Sequence, residues 1–176
     1  MNCTACGGPL RPNPTNDSLV CEYCHSIYFP QKNDDGVVVA GESKDEPCPV
    51  CAIALMQAEL EHTEIRYCTR CRGMLIPMQS FPELIDALRE KNPARVDIPP
   101  LDPAEMKRKL TCPHCHKAML VDLYPAATNV VMGSCETCGL NWVDHGKMAR
   151  IVDGARAIEE TDKQLAKDES DAEPEY

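Results

Sequence analysis

The chain is poor in aromatic residues, with one Trp, two Phe and five Tyr among 176 residues. A single large core is not expected from such a composition; several small cores are. No run of 18 apolar residues occurs, so no membrane-spanning helix is expected. The opening Met1-Asn2-Cys3 carries neither the basic stretch nor the apolar core of a secretory leader, and the chain is read as cytoplasmic with reduced thiols. Gly-rich phosphate loops, nucleophile elbows and other catalytic constellations are missing too, which points to a protein that is not an enzyme. Excess positive charge is also lacking. Eighteen Lys and Arg against 28 Asp and Glu leave a formal net charge of -10, which opposes phosphate binding except through a local basic patch.

What the chain does have is cysteine. Its twelve cysteines form six Cys-x-x-Cys pairs in three successive couples: Cys3/Cys6 with Cys21/Cys24, Cys48/Cys51 with Cys68/Cys71, and Cys112/Cys115 with Cys135/Cys138. Separations of 14, 16 and 19 residues between paired motifs suit a tetrahedral four-thiolate zinc site, because each turn presents two thiolates and a hairpin between them brings the other two. A disulfide scaffold uses the same even count, and thioredoxin-like redox chemistry also uses Cys-x-x-Cys. Six motifs in matched couples, without a leader, favour three zinc ions. Units of about 40 residues bury too little apolar surface to fold unaided, and zinc fills that gap. Twelve thiolates and three zinc ions would take the formal charge to about -16.

The couples are an internal repeat. Seven residues after the first cysteine stands Leu10, Leu55 or Met119; four and five after the last stand Tyr28-Phe29, Leu75-Ile76 or Trp142-Val143. The expected fold is small, metal-stabilised and mostly β, with three tandem zinc ribbons. Their expected extents are 1–41, 48–92 and 110–167, with a linker at 42–47, a Pro-rich spacer at 93–109 and a disordered acidic tail at 168–176. Hairpins are expected from Ala58 to Glu61 with Glu64 to Tyr67, and from Leu120 to Leu123 with Asn129 to Met132. The turn Asn33-Asp34-Asp35-Gly36 should return Val37 to Val39 onto Ile27 to Phe29. Ser80, Pro82 and Glu83 open a helix with Phe81, Leu84, Ile85 and Leu88 on one face, ended by Asn92-Pro93. Asp144 is expected to cap a second helix through Met148, Ile151, Val152, Ala155 and Ile158 as far as Leu165. Its stripe should pack on its own ribbon in preference to a coiled-coil dimer.

Gly7, Gly73 and Gly139 supply permissive positions near the metal turns, whereas Ala52 and His116 stand where the first repeat has Gly7 and imply strain there. His25, His114 and His116 lie beside ligands, but each site already has four cysteines and leaves no vacancy for water. Two basic clusters, Arg66, Arg70 and Arg72, and Lys107, Arg108 and Lys109 near Lys117, are candidate nucleic-acid surfaces; a solvated face is the reading preferred for each.

The motifs CPVC with CTRCRG, and CPHC with CETCGLNWVDHGKM, resemble the transcription factor IIB-type zinc ribbon over about residues 48–91 and 112–153. The likeness is most specific in the third repeat, at Trp142-Val143-Asp144; the second has Leu75-Ile76-Pro77 instead, and the first repeat is a generic ribbon. The resemblance implies zinc binding by Cys48, Cys51, Cys68 and Cys71 and by Cys112, Cys115, Cys135 and Cys138. The expected function is an interaction module or adaptor for a protein partner, with a transcription-associated or nucleic-acid-binding factor as the alternative.

Overall fold

The computed structural model describes residues 2–3, 5–12, 19–28, 32–91, 99–125, 127 and 129–154. The expected ends of the second helix and the acidic tail lie outside them, as does Phe29. The first repeat forms a three-stranded antiparallel sheet of β1 (Leu10–Pro12), β2 (Leu19–Cys21) and β3 (Ile27–Tyr28), in order β1-β2-β3. The other two repeats do not form a sheet each. β4 (Val38–Pro47), β5 (Ala54–Leu60), β6 (Thr63–Tyr67), β7 (Met74–Pro77), β8 (Leu120–Leu123), β9 (Val131–Cys135) and β10 (Leu140–Val143) make one seven-stranded sheet, ordered β4-β5-β6-β7-β10-β9-β8.

Both expected hairpins are present. In β5 and β6 the register Leu60↔Thr63 leaves a two-residue turn of Glu61 and His62, both left-handed at φ 45° and 65°. Two consecutive positive φ values give the turn whose twist matches a hairpin.

The chain after the first repeat departs from expectation. Val37 to Val39 do not return onto β3; Val38 and Val39 pair with Glu59 and Ala58 of β5. The turn itself redirects them, since the Asn33 Oδ1 accepts from the N–H groups of Asp35 and Val37 at 2.9 and 3.0 Å. Val37 is thereby buried in the core beside Leu60 and Ile65. The expected linker at 42–47 is the continuation of β4, an edge strand with register shifts after Val39 and Glu42. Irregularity and charge are the usual features of an edge strand that avoids pairing with other chains.

Repeats two and three, expected as separate tandem ribbons on either side of a spacer, are fused. β7 and β10 pair antiparallel through Met74↔Val143, Leu75↔Trp142, Ile76↔Asn141 and Pro77↔Leu140. Alternation along these strands divides the sheet into two cores. Leu75 and Trp142 lie in one, with Leu55, Leu110, Met119 and cysteines of both repeats. Met74, Ile76 and Val143 lie in the other, beneath two helices. α1 (Phe81–Lys91) buries Phe81, Leu84, Ile85 and Leu88, the face expected of it. α2, over 147–154 of the described residues, buries Met148, Ile151 and Val152 in the same core. Phe81 also meets Tyr124 of the third repeat edge-on, centroids 5.6 Å apart.

The described part of the spacer, 99–109, is docked rather than free. It makes a 3-10 turn at Glu105–Lys107, where Glu105 accepts from Lys147 Nζ at 2.9 Å. Next to it, Arg108 grips both oxygens of Asp144 at 2.6 and 3.0 Å.

Candidate metal centres

Each Cys-x-x-Cys turn closes in the same way. In the first, Gly7 N–H donates to the Cys3 carbonyl and Cys3 N–H to the Gly8 carbonyl, both at 2.8 Å. The bonds recur as His25 to Cys21, Ala52 to Cys48, Arg72 to Cys68 and His116 to Cys112; the sixth turn is closed by the Cys135↔Leu140 pairing. The residue following the second cysteine is left-handed every time, with φ of 76°, 58°, 57°, 59°, 59° and 63° for Gly7, His25, Ala52, Arg72, His116 and Gly139. Only two of these slots hold glycine, so the other four retain backbone strain, as expected for Ala52 and His116.

This slot also accounts for two histidines beside ligands. His25 and His116 occupy it, and neither belongs to a ligand cluster. Gly73 has a different use from the one expected. Arg72 takes the left-handed slot of that turn, and Gly73 makes room for a ring: a Cβ there would overlap Trp142, which is wholly buried.

The turns bring all twelve cysteines together as three clusters, and within each cluster the four sulfurs lie within 4.8 Å of one another. Sulfurs at the corners of a tetrahedron with metal bonds of about 2.3 Å lie about 3.8 Å apart. The observed separations include Cys3 to Cys24 at 3.5 Å, Cys6 to Cys21 at 3.4 Å, Cys48 to Cys71 at 3.6 Å, Cys51 to Cys68 at 3.9 Å and Cys115 to Cys135 at 3.6 Å. They are far too long for disulfides, whose sulfurs stand about 2.05 Å apart, and all twelve cysteines are free. Backbone donors point at the sulfurs as well: Val50 and Cys51 N–H to Cys48 Sγ at 3.4 and 3.3 Å, and Cys71 N–H to Cys68 Sγ at 3.5 Å. Four soft thiolates in tetrahedral array, with N–H groups stabilising their charge, suit zinc at each of the three sites.

The thiols are not equivalent without metal. The Lys117 N–H holds Cys115 down at about 7, whereas burial pushes Cys48 up to about 11. The first site is the most open, since Cys6 and Cys24 are exposed; each of the other clusters has two buried and two half-buried cysteines.

Around the second and third sites the arginines are engaged with acids that sequence reading had placed in turns and linkers. Asp35 accepts from Arg72 Nε and Nη2 at 2.7 and 2.6 Å and from the Tyr67 hydroxyl at 2.8 Å. His145 Nε2 approaches the same carboxylate at 3.3 Å. Burial pushes the Asp35 carboxyl up, but Arg72 and Tyr67 outweigh it and hold the group below the usual carboxylate value. Arg66 Nε donates to Glu46 at 2.8 Å, and His114 Nδ1 lies 3.7 Å from that carboxylate. Asp144 was expected as a helix cap, but its side chain is taken by Arg108, by Lys147 at 2.9 Å and by Trp142 Nε1 at 3.0 Å. Lys147 itself is almost fully buried, and its ammonium is satisfied by Asp144, Glu105 and the Val131 carbonyl. No signal in the sequence marked Asp35 or Glu46, because their arginine partners lie 37 and 20 residues away, and the contact of Lys147 with Glu105 spans 42.

Residues 47–87 match the family model described as Transcription factor zinc-finger, of the transcription factor IIB zinc-ribbon type. This segment is similar to the transcription factor IIB-type zinc ribbon. The match spans β5, β6, β7 and the first part of α1, which is the second repeat, although the sequence resemblance was more specific in the third. Comparison with curated proteins and with solved structures finds no match.

Proposed function

We propose that the chain is a non-enzymatic zinc-ribbon adaptor that presents its ribbons to a protein partner in the cytoplasm. The observation that carries this reading is the engagement of arginines in both basic clusters. Arg66, Arg72 and Arg108 are each held by a carboxylate of the same chain, on a protein whose net charge is already -10. Phosphate contacts need free cations, and non-specific affinity rises with their number. The cysteine clusters also support the reading, since four thiolates at a metal leave no position for substrate or water. Among the described residues, no helix is long and apolar enough to cross a membrane.

A nucleic-acid role is the second reading, favoured by the family description and by the exposed Arg70, Lys107, Lys109 and Lys117. A salt titration of binding to arbitrary duplex and single-stranded DNA and RNA separates the two. The adaptor reading expects affinity weaker than the roughly 10⁻⁴–10⁻⁶ M of dedicated binders' non-specific contacts. Micromolar binding with a steep salt slope, flattened when Arg70, Lys107, Lys109 and Lys117 are all changed to Ala, would replace it by the second reading. These four leave the internal ion pairs intact.

A further inference from the structure

The three ribbons share one register. Leu19↔Tyr28 in the first corresponds to Arg66↔Leu75 in the second and Gly133↔Trp142 in the third. In each pair the members stand two residues before the third cysteine of the couple and four after the fourth. The strands β3, β7 and β10 are therefore the same strand of the same unit.

β7 and β10 meet along their outer edges, and one of their four pairs is Leu75↔Trp142. Both residues stand four places after the last cysteine of their own repeat, so each faces its repeat equivalent. An antiparallel pairing in which equivalent residues face each other has a local two-fold axis through that pair. The third strand of this ribbon is thus an edge that fits a second copy of itself.

In the first repeat that edge is open. β3 is the outer strand of its sheet and pairs with β2 alone among the described residues. Ile27 is 58% exposed, whereas its equivalents Met74 and Asn141 are 5% and 7% exposed. An apolar side chain on an unpaired edge invites addition of another strand. Charge opposes self-pairing only weakly here: residues 1–31 hold one base, Arg11, against two acids, Asp17 and Glu22, and four thiolates with one zinc ion bring this ribbon to about -3 of the roughly -16 of the zinc-loaded chain.

We propose that β3 pairs with β3 of a second copy of this chain, giving a two-fold symmetric homodimer joined through the first ribbon. The axis passes through Tyr28, the equivalent of Leu75 and Trp142, and the partner strand lies along Ile27 as β7 and β10 lie along each other within the chain.

Sedimentation velocity on the zinc-loaded full chain over about 1–100 μM should show monomer giving way to dimer as concentration rises. Ile27→Glu should shift the population to monomer while native mass spectrometry still counts three zinc ions. Should that variant lose the first metal, Tyr28→Cys decides. Directly opposed residues of an antiparallel pair have Cα atoms about 4.5–5.5 Å apart, within reach of a disulfide. Mild oxidation of zinc-loaded Tyr28→Cys should then give a covalent dimer, and Glu59→Cys, exposed on β5, should not. A chain that stays monomeric across the range overturns the proposal and leaves the edge to a strand of another protein. A dimer unaffected by Ile27→Glu, with no cross-link through position 28, overturns it equally.

Discussion

Replacing Cys135 by Ser should cost the protein two zinc sites. Cys135 ends β9 and is buried among the sulfurs of the third site, so the change removes one of four ligands from a repeat whose folding depends on its metal. When that repeat unfolds, β10 leaves β7, and Met74, Leu75, Ile76 and Phe81, each no more than 5% exposed, lose cover. Burying a side chain of this size is worth about 1.5–3 kcal/mol, so full exposure of the four costs about 6–12 kcal/mol. An unfolded repeat remains partly collapsed and recovers up to about 40% of that. The remaining 4–7 kcal/mol, roughly, corresponds to about 10³–10⁵ in zinc affinity at the second site. In a chelator titration read by native mass spectrometry, wild type should hold three ions at a chelator concentration where Cys135→Ser holds one, in the separate first ribbon. A variant that retains two ions with wild-type resistance to chelator would refute the shared-core argument.

The cluster geometry predicts three zinc ions per chain, with no disulfides, and twelve thiols that react fully after chelation without reductant; a count below two, or thiols that stay blocked, contradicts it. Gly73→Ala should keep all three metals yet force Trp142 out of place, lowering stability by about 1–3 kcal/mol and shifting Trp fluorescence; an unchanged emission spectrum would show that the ring does not fill that space. At pH 7 Cys48, pushed up to about 11, is protonated in metal-free protein, and Cys115, near 7, is close to half protonated. Zinc therefore displaces protons, and its affinity rises with pH. A titration in weakly buffered indicator should register acid release at each addition, and no release would mean that the thiols were already ionised.

The ligands were legible because the Cys-x-x-Cys turn is a local object. Two thiolates three residues apart, with the bonds from Ala52 to Cys48 or His116 to Cys112, need nothing from the rest of the chain, and the hairpin between turns was visible as alternation in Ala58 to Tyr67. The histidines were harder to read because adjacency to a ligand suggests coordination. The left-handed slot that holds His25 and His116 is a backbone requirement invisible in composition. The ion pairs were not legible at all. Asp35 sits in an Asn-Asp-Asp-Gly run that reads as a solvated turn, and its partner Arg72 was counted among the cations open to a ligand.

The fusion of repeats two and three was missed for a related reason. A hairpin is announced by its turn, but two strand edges that meet from different repeats are joined by no turn. α1, the spacer, β8 and β9 separate β7 from β10, and prolines in the spacer read as a boundary. The signal that did exist lay in two residues not read together. Gly73, two places after Cys71, leaves a gap, and the single Trp of the chain, four places after Cys138, fills it. Neither residue is explained by its own ribbon alone: a glycine at the head of a strand weakens it, and a lone indole requires a large buried surface. Taken as a pair, they require the third strands of the two repeats to lie side by side. A threefold repeat in sequence thus yields two sheets, because two copies close each other's edge and the first copy's third strand pairs with β2 alone among the described residues.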